Sequence, residues 1–298
     1  MIITVFTPTY NRAYCLPKLY KSLCEQTFKD FLWLVVDDGS TDNTKELIEN
    51  YIDEGSIHIE YHWQKNGGKH VAHNHGVELC STELFVCVDS DDALTPNAVQ
   101  KVVSDYKNHI DNNILGMYYR KVLSNGTNVA KPYPVGLDRV GITDLYHKYN
   151  FSGDTMIVFV TKKIKDYSFP VFSDERFVSE VVFYSRLNQI APMLLFEDGL
   201  YVCEYLPDGY TSNTNKLMIK NPKGTALACL SEAYYSDNLV YRVKNYAQSL
   251  ALSNLFSFSM NKANVYNYKI SFYIKMLAWI LKGHYIKLFE GIKKKYDE

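Results

Sequence analysis

Over its first 110 residues this chain alternates short apolar runs with helical stretches, and that alternation restricts its fold more than any other feature. Ile2 to Thr7, Phe31 to Val36, Ile57 to Trp63 and Leu84 to Val88 are β-branched or aromatic and bounded by turn residues, which predicts four strands. Between them, Leu16 to Gln26 carries Leu16, Leu19, Tyr20, Leu23 and Cys24 at helical spacing. Ser40-Thr41-Asp42 offers an N-cap to a helix over Lys45 to Tyr51, and Thr95-Pro96 offers one over Val99 to Tyr106, with Pro96 at the first helical position. Strands that alternate with helices build a mostly parallel sheet covered by helices, so the expected class is α/β.

A length of 298 residues exceeds one ordinary domain. The expected division is a nucleotide-sized α/β half over 1–110, a smaller α+β half over 111–222 with a strand at Ile157 to Val160, and a helical region over 223–298. In the last region Tyr285, Leu288, Phe289 and Ile292 recur at i, i+3, i+4 and i+7 beside Lys282, Lys287, Lys293, Lys294 and Lys295. Such a stripe either docks on the protein's own core or lies on an anionic membrane surface. No run of about 18 apolar residues occurs, so a membrane span is not expected.

The formal net charge of −1 leaves no global positive field to hold phosphates, which argues against nucleic acid as a partner. Cys15, Cys24, Cys80, Cys87, Cys203 and Cys229 form neither a CxxC pair nor a zinc spacing, as expected of reduced, buried thiols. Met1 to Phe6 has strand character without the basic region of a signal peptide. These features predict a cytoplasmic protein, with peripheral contact at the inner face of the cell membrane left open.

In an open parallel sheet, ligands bind beyond the carboxyl ends of the strands. The first strand ends in Thr7-Pro8-Thr9-Tyr10-Asn11-Arg12, the second in Asp37-Asp38-Gly39-Ser40 and the fourth in Asp89-Ser90-Asp91-Asp92. Three carboxylates within four residues raise one another's pKa unless a cation intervenes, and a divalent ion is the simplest such cation. A turn leading into a helix cap is the plain alternative. Asp37 and Asp38 can form a strand-to-helix turn or accept from a nucleoside, and Tyr10 can pack or stack on a base. Asn66-Gly67-Gly68-Lys69-His70 sets amides and a lysine at a helix start, which suits an anion, with Asn74 one turn on. His70, His73 and His75 do not share one helical face, so polar packing is favoured over zinc.

The set Thr-Pro-Thr-Tyr-Asn-Arg at 7–12, Asp-Asp-Gly-Ser-Thr-Asp at 37–42, Asn-Gly-Gly-Lys-His at 66–70 and Asp-Ser-Asp-Asp at 89–92 closely resembles family 2 glycosyltransferases of the GT-A fold. The resemblance implies inverting transfer from a nucleotide diphosphate sugar, usually a UDP-sugar, with Mn²⁺ or Mg²⁺ as cofactor. It makes 1–110 the nucleotide-sugar-binding half and 111–222 the acceptor half. Thr7, Pro8, Thr9, Tyr10, Arg12, Asp37, Asp38, Gly68, Lys69, Asn74, Asp89 and Ser90 become the donor site, and Asp91 or Asp92 the main metal ligand. Ser152-Gly153-Asp154, Glu175 to Glu180 and Glu204 to Asn213 are similar to the acceptor side of bacterial surface-polysaccharide members. That implies a glycan or lipid-linked glycan acceptor.

Inverting transfer needs a carboxylate across from the metal to take the acceptor's proton. Asp154, Asp174, Glu175 and Glu180 are candidates, and Glu180, at the start of a helical stretch, is the expected base; capping that helix is its plain alternative. Two other functions compete. A sugar-phosphate nucleotidyltransferase would carry an early glycine-rich basic loop, absent here, and a nucleotide-sugar-binding scaffold would show no turnover.

Overall fold

The computed structural model describes residues 1–109, 113–204 and 214–297. The first half of the chain folds as β1 (Ile3–Thr9), α1 (Leu16–Cys24), β2 (Phe31–Asp37), α2 (Thr44–Glu54), β3 (His58–Trp63), α3 (Lys69–Leu79), β4 (Leu84–Cys87), β5 (Ala93–Leu94) and α4 (Ala98–Asn108). Then come β6 (Gly116–Val122), β7 (Arg139–Val140), α5 (Asp144–His147), β8 (Thr155–Val160), α6 (Thr161–Ile164), α7 (Val181–Leu187) and β9 (Met193–Val202). Helices α8 (Thr214–Lys220), α9 (Pro222–Tyr235), α10 (Leu239–Leu255), α11 (Met260–Ala263) and α12 (Phe272–Asp297) follow.

Among the described residues nine strands form one sheet in the order β3-β2-β1-β4-β8-β6-β9-β5, with β7 beside β9. Strands β3, β2, β1 and β4 are mutually parallel, as are β6 and β9, whereas β8 runs antiparallel between β4 and β6. The α/β expectation holds. The boundary at 110 does not, because Met1–Ser168 with Leu187–Glu204 forms one compact unit and Phe169–Arg186 with Tyr205–Glu298 another. Strands β6, β8 and β9 complete the sheet that the first residues begin, so 111–222 is not a body of its own.

Every residue of β1 and β2 is buried, which explains their near-continuous apolar character. Pro8 is tolerated in β1 for a specific reason. Phe6 O accepts from Val88 N and Thr9 O from Asp38 N, so the alternation turns the Pro8 nitrogen toward β4, whose pairing ends at Phe6. One face of the sheet packs Trp33, Val86 and Val158 against Leu16, Leu19, Leu23, Ile48, Val99 and Val103 of α1, α2 and α4. Against the other face lies α3, where a Cβ on Gly76 would come within 2.4 Å of the Phe6 ring. Glycine there lets helix and sheet approach closely.

Helix α4 begins at Ala98 after an Asn97 N-cap, two residues later than the Pro96 start expected from sequence, because Pro96 belongs to a turn closed by Ala98 N donating to Thr95 O. In the second unit Ile219, Ala226, Ala251, Leu252 and Phe289 form a core, with Tyr285, Ile286 and Ile292 packed on it. The stripe of Tyr285, Phe289 and Ile292 is therefore docked internally, and of its four members only Leu288 is exposed. That removes the stripe as a membrane-facing surface.

Candidate active site

Because β3, β2, β1 and β4 are parallel, their carboxyl ends share one rim, and the expected donor residues gather there. Buried Thr7 uses its hydroxyl to accept from Trp33 Nε1 at 3.0 Å, so it braces two strands, and Pro8 is buried beside it. Thr9 is different: its hydroxyl is buried yet finds no hydrogen-bond partner among the described residues. Such an orphan at a strand end is a natural contact for a bound polar group. Tyr10 is exposed at the rim, and Arg12 lies over the Tyr14 ring at 5.7 Å and donates to its hydroxyl.

The two adjacent aspartates of the second motif do different work. Asp37 fixes its own turn, accepting from Ser40 N at 2.7 Å and from Tyr61 Oη at 2.7 Å. Asp38 reaches across to the β3–α3 loop and accepts from Gln64 Nε2 at 2.7 Å, Gly67 N at 2.8 Å and Gly68 N at 2.7 Å. A carboxylate has about four acceptor positions, so most of Asp38 is spent on holding that loop. Asp38 thereby shapes the loop that leads into α3. Gly68 has φ +95°, a conformation that L side chains rarely adopt, so glycine is required where the loop turns into α3.

Asn11 completes the arrangement. It sits at φ +53°, donates its N–H to Ser40 Oγ at 2.8 Å and accepts from Thr41 N at 2.8 Å through Oδ1. The β1 and β2 loops are thereby latched together. Its sequence signal was a turn asparagine, a residue type enriched at positive φ, but its partner 30 positions away could not be read. Gln64, which bridges Asp38 and His75, carried no signal at all.

The acidic cluster is relieved by protein groups. Lys69 Nζ lies 2.8 Å from Asp89 Oδ1. Desolvation pushes the Asp89 carboxyl up, and the Lys69 and Lys121 ammoniums outweigh it, holding the pKa below the usual range. Asp92 is buried, accepting from Tyr201 Oη at 2.6 Å and Glu204 N at 3.0 Å. Burial pushes it up to about 6 despite the Tyr201 bond. Ser90 is buried, and Asp91 alone of the three carboxylates is half-buried without such a clamp shown; desolvation, then Asp89, raises its pKa. Lys121 Nζ stands 4.1 Å above the Tyr201 ring. Neither Tyr201 nor Lys121 was legible beforehand.

Among the described residues no three His, Cys, Asp or Glu side chains converge as a metal cage. What remains fits a hard cation held mainly by its substrate: Asp91 is a rim carboxylate burdened by a like charge, and Mg²⁺ typically takes one or two carboxylates plus phosphate oxygens. His70 and Asn74 stand one turn apart on α3, the helix that Lys69 begins.

Asp154 precedes β8, and β8 is antiparallel to β4 with Val158 opposite Val86. Asp154 thus enters the sheet at the end where Asp89 to Asp92 leave it. Glu175 and Glu180 belong to the second unit. Glu175 is buried and accepts from Lys223 N at 2.7 Å and Gly224 N at 2.8 Å, satisfying the first amides of α9. That is a capping role. Glu180 is exposed immediately before α7, its backbone carbonyl accepting from Phe183 N and Tyr184 N at 3.0 Å each. Residues 205–213 of the expected acceptor segment lie outside the described residues.

The model of glycosyl transferase family 2 matches residues 4–170. The chain belongs to that family. It is 26% identical over 212 residues to glycosyltransferase GlyG of Streptococcus pneumoniae serotype 4, covering 67% of this chain and 70% of that protein. It is 34% identical to the GalNAc(5)-diNAcBac-PP-undecaprenol beta-1,3-glucosyltransferase of Campylobacter jejuni over 34% of this chain and 33% of that one. In fold it is similar to the crystal structure of S. aureus TarS 1-349 in complex with UDP-GlcNAc, with TM-score 0.65 and 18% identity over 100% of this chain and 92% of the other. The family match covers the rim from Thr4 to beyond Asp154, so the motifs at 7–12, 37–42, 66–70 and 89–92 all lie inside it.

Proposed function

We propose that this family member transfers a sugar, with inversion, from a UDP-sugar to a glycan or lipid-linked glycan acceptor of a bacterial surface polysaccharide. The observation that carries this reading is the rim itself. The exposed ring of Tyr10, the orphan hydroxyl of Thr9, the Asp38-held glycine loop and the Lys69–Asp89 pair converge at the ends of parallel strands. A nucleoside needs a ring face and polar contacts, and a diphosphate needs cationic and amide donors. The UDP-GlcNAc complex of the fold neighbour and the undecaprenol-linked acceptor named for the Campylobacter relative support the donor and acceptor classes.

In this reading Tyr10 stacks on the base, Thr9 donates to the nucleoside, and Lys69 with Arg12 faces the diphosphate. Asp91 would hold Mn²⁺ or Mg²⁺ together with the diphosphate oxygens; when bound, such an ion offsets charge on the departing diphosphate. Asp92 is committed to Tyr201 and Glu204, which favours Asp91 as the ligand. Glu180 takes the proton from the acceptor hydroxyl as its oxygen bonds to the anomeric carbon and the bond to the diphosphate breaks on the opposite face. Its competitor Glu175 spends both carboxylate oxygens on α9.

A thermal-shift series with UDP, GDP and their sugars, with and without Mn²⁺, tests the donor. A ligand at 100 times its Kd stabilises by about 2.7 kcal/mol. UDP-sugars with Mn²⁺ should raise Tm and GDP-sugars should not; a flat response to every nucleotide would refute the reading.

A further inference from the structure

Helix α12 is amphipathic in an inverted sense over its first three turns. Ile274 and Ala278 are buried, together with Phe289 further along the same face. On the opposite face Phe272, Met276, Trp279 and Ile280 recur at i, i+4, i+7 and i+8, with Tyr273 beside them. Phe272, Tyr273, Trp279 and Ile280 are between 68% and 74% exposed. Scattered apolar side chains on a surface need no explanation, but a contiguous patch with three aromatics does.

We infer that this face is a docking surface for an anionic membrane, on which α12 lies flat. Three observations select that occupant. First, Trp and Tyr with aliphatic neighbours are the residues that settle at the boundary between headgroups and acyl chains. Second, the patch is set in positive charge: Lys275 and Lys282 border it, and Lys287 and Lys294 continue its line, with Glu290 the one acidic residue among them. The helix holds six lysines against Glu290 and Asp297 in a chain of formal net charge −1, two of them beside the apolar face and four further along the same helix, so the element that carries the apolar face is itself basic. Third, no helix among the described residues is long and apolar enough to cross a bilayer, which leaves lying in its surface as the mode of contact. A second copy of the chain seated on the same face would set these lysine borders against each other, a like-charge contact.

The stripe of Tyr285, Phe289 and Ile292 faces inward, and the membrane side is the face turned away from it. The inference concerns a surface and does not depend on the transfer reaction.

The test uses the full chain with vesicles of phosphatidylcholine alone and of phosphatidylcholine with phosphatidylglycerol, in the absence of any sugar donor. The wild type should sediment with the anionic vesicles, less so as salt is raised, and its tryptophan emission should shift to the blue. A Trp279→Ser/Ile280→Ser variant should keep its Tm, because both side chains are exposed, and lose vesicle partitioning by at least about tenfold. Lys275→Gln/Lys282→Gln should weaken binding to anionic vesicles alone. Equal recovery of wild type and variants in the supernatant would overturn the inference. So would a concentration-dependent dimer that Trp279→Ser/Ile280→Ser abolishes without any vesicle binding by the wild type.

Discussion

The Tyr201 hydroxyl donates to Asp92 Oδ2 at 2.6 Å and accepts the Asp89 backbone N–H at 3.0 Å. One side chain from β9 therefore fixes both ends of the acidic turn that follows β4, and Asp91 is presented between two held positions. Tyr201→Phe leaves a buried carboxylate and a buried amide each short of a partner, at a cost of about 1–3 kcal/mol. We expect a lower Tm and a donor KM raised on the order of tenfold through misplacement of Asp91. Calorimetry with donor kinetics would check both; unchanged values would detach Tyr201 from the site.

Asp38 and Asn11 hold neighbouring loops with unequal strength. Asp38 is charged and accepts from two glycine amides and Gln64, whereas Asn11 joins the β1 and β2 loops through neutral bonds. Asp38→Ala should cost about 2–3 kcal/mol in urea denaturation and Asn11→Ala about 0.5–1.5 kcal/mol. Both should weaken donor binding, Asp38→Ala more. The reverse order would show that the loop is held elsewhere.

His73 gives a pH signature. It packs edge-on against Phe6 and Phe85, with ring centroids 5.9 Å and 5.5 Å away, and burial followed by the nearby Lys69 pushes its pKa down from 6.5 to about 3. Between those values the unfolded chain binds a proton that the folded chain refuses. Its contribution to stability is complete above about pH 6.5 and is lost as pH falls toward 3, by at most about 1.4 kcal/mol per unit. Denaturation at pH 7 and pH 5 should show wild type losing stability and His73→Leu losing less. Equal losses would mean that His73 is already solvated.

Glu175 and Glu180 should separate stability from chemistry. Glu175→Gln weakens the cap of α9 and should lower stability by about 0.5–2 kcal/mol, with turnover within a few-fold of wild type. Glu180→Gln should leave Tm unchanged and lower turnover by about 10² to 10⁴. If Glu175→Gln or Asp154→Asn abolishes transfer while Glu180→Gln does not, the base is the residue whose loss is fatal.

Much of the first unit was legible because parallel strands announce themselves as buried apolar runs and the rim follows from their direction. Leu16, Leu19 and Leu23 fall on the buried face that their spacing predicts. What could not be read were relations between distant residues. The sequence showed three crowded aspartates, but not that Lys69 pairs with one and Tyr201, over a hundred positions away, binds another. Nor could it show that Thr7 turns to Trp33 while Thr9 keeps an unpartnered hydroxyl, since the two lie on the same face of one strand that is buried throughout. On the C-terminal helix the stripe of Tyr285, Phe289 and Ile292 docks on the protein's own core, one of the two outcomes its spacing allowed, while the exposed face at Phe272, Trp279 and Ile280 was not read. Both of its faces are apolar, and spacing alone does not tell which one is covered.

The most direct test of the central claim is to incubate the chain with UDP-sugars, Mn²⁺ and a lipid-linked glycan acceptor, and to identify the released nucleotide product. Acceptor-dependent release of UDP, lost in chelator and reduced on the order of a hundredfold or more in Asp91→Asn, is the predicted result. Formation of pyrophosphate, or donor binding without release of UDP for any acceptor tried, would contradict it.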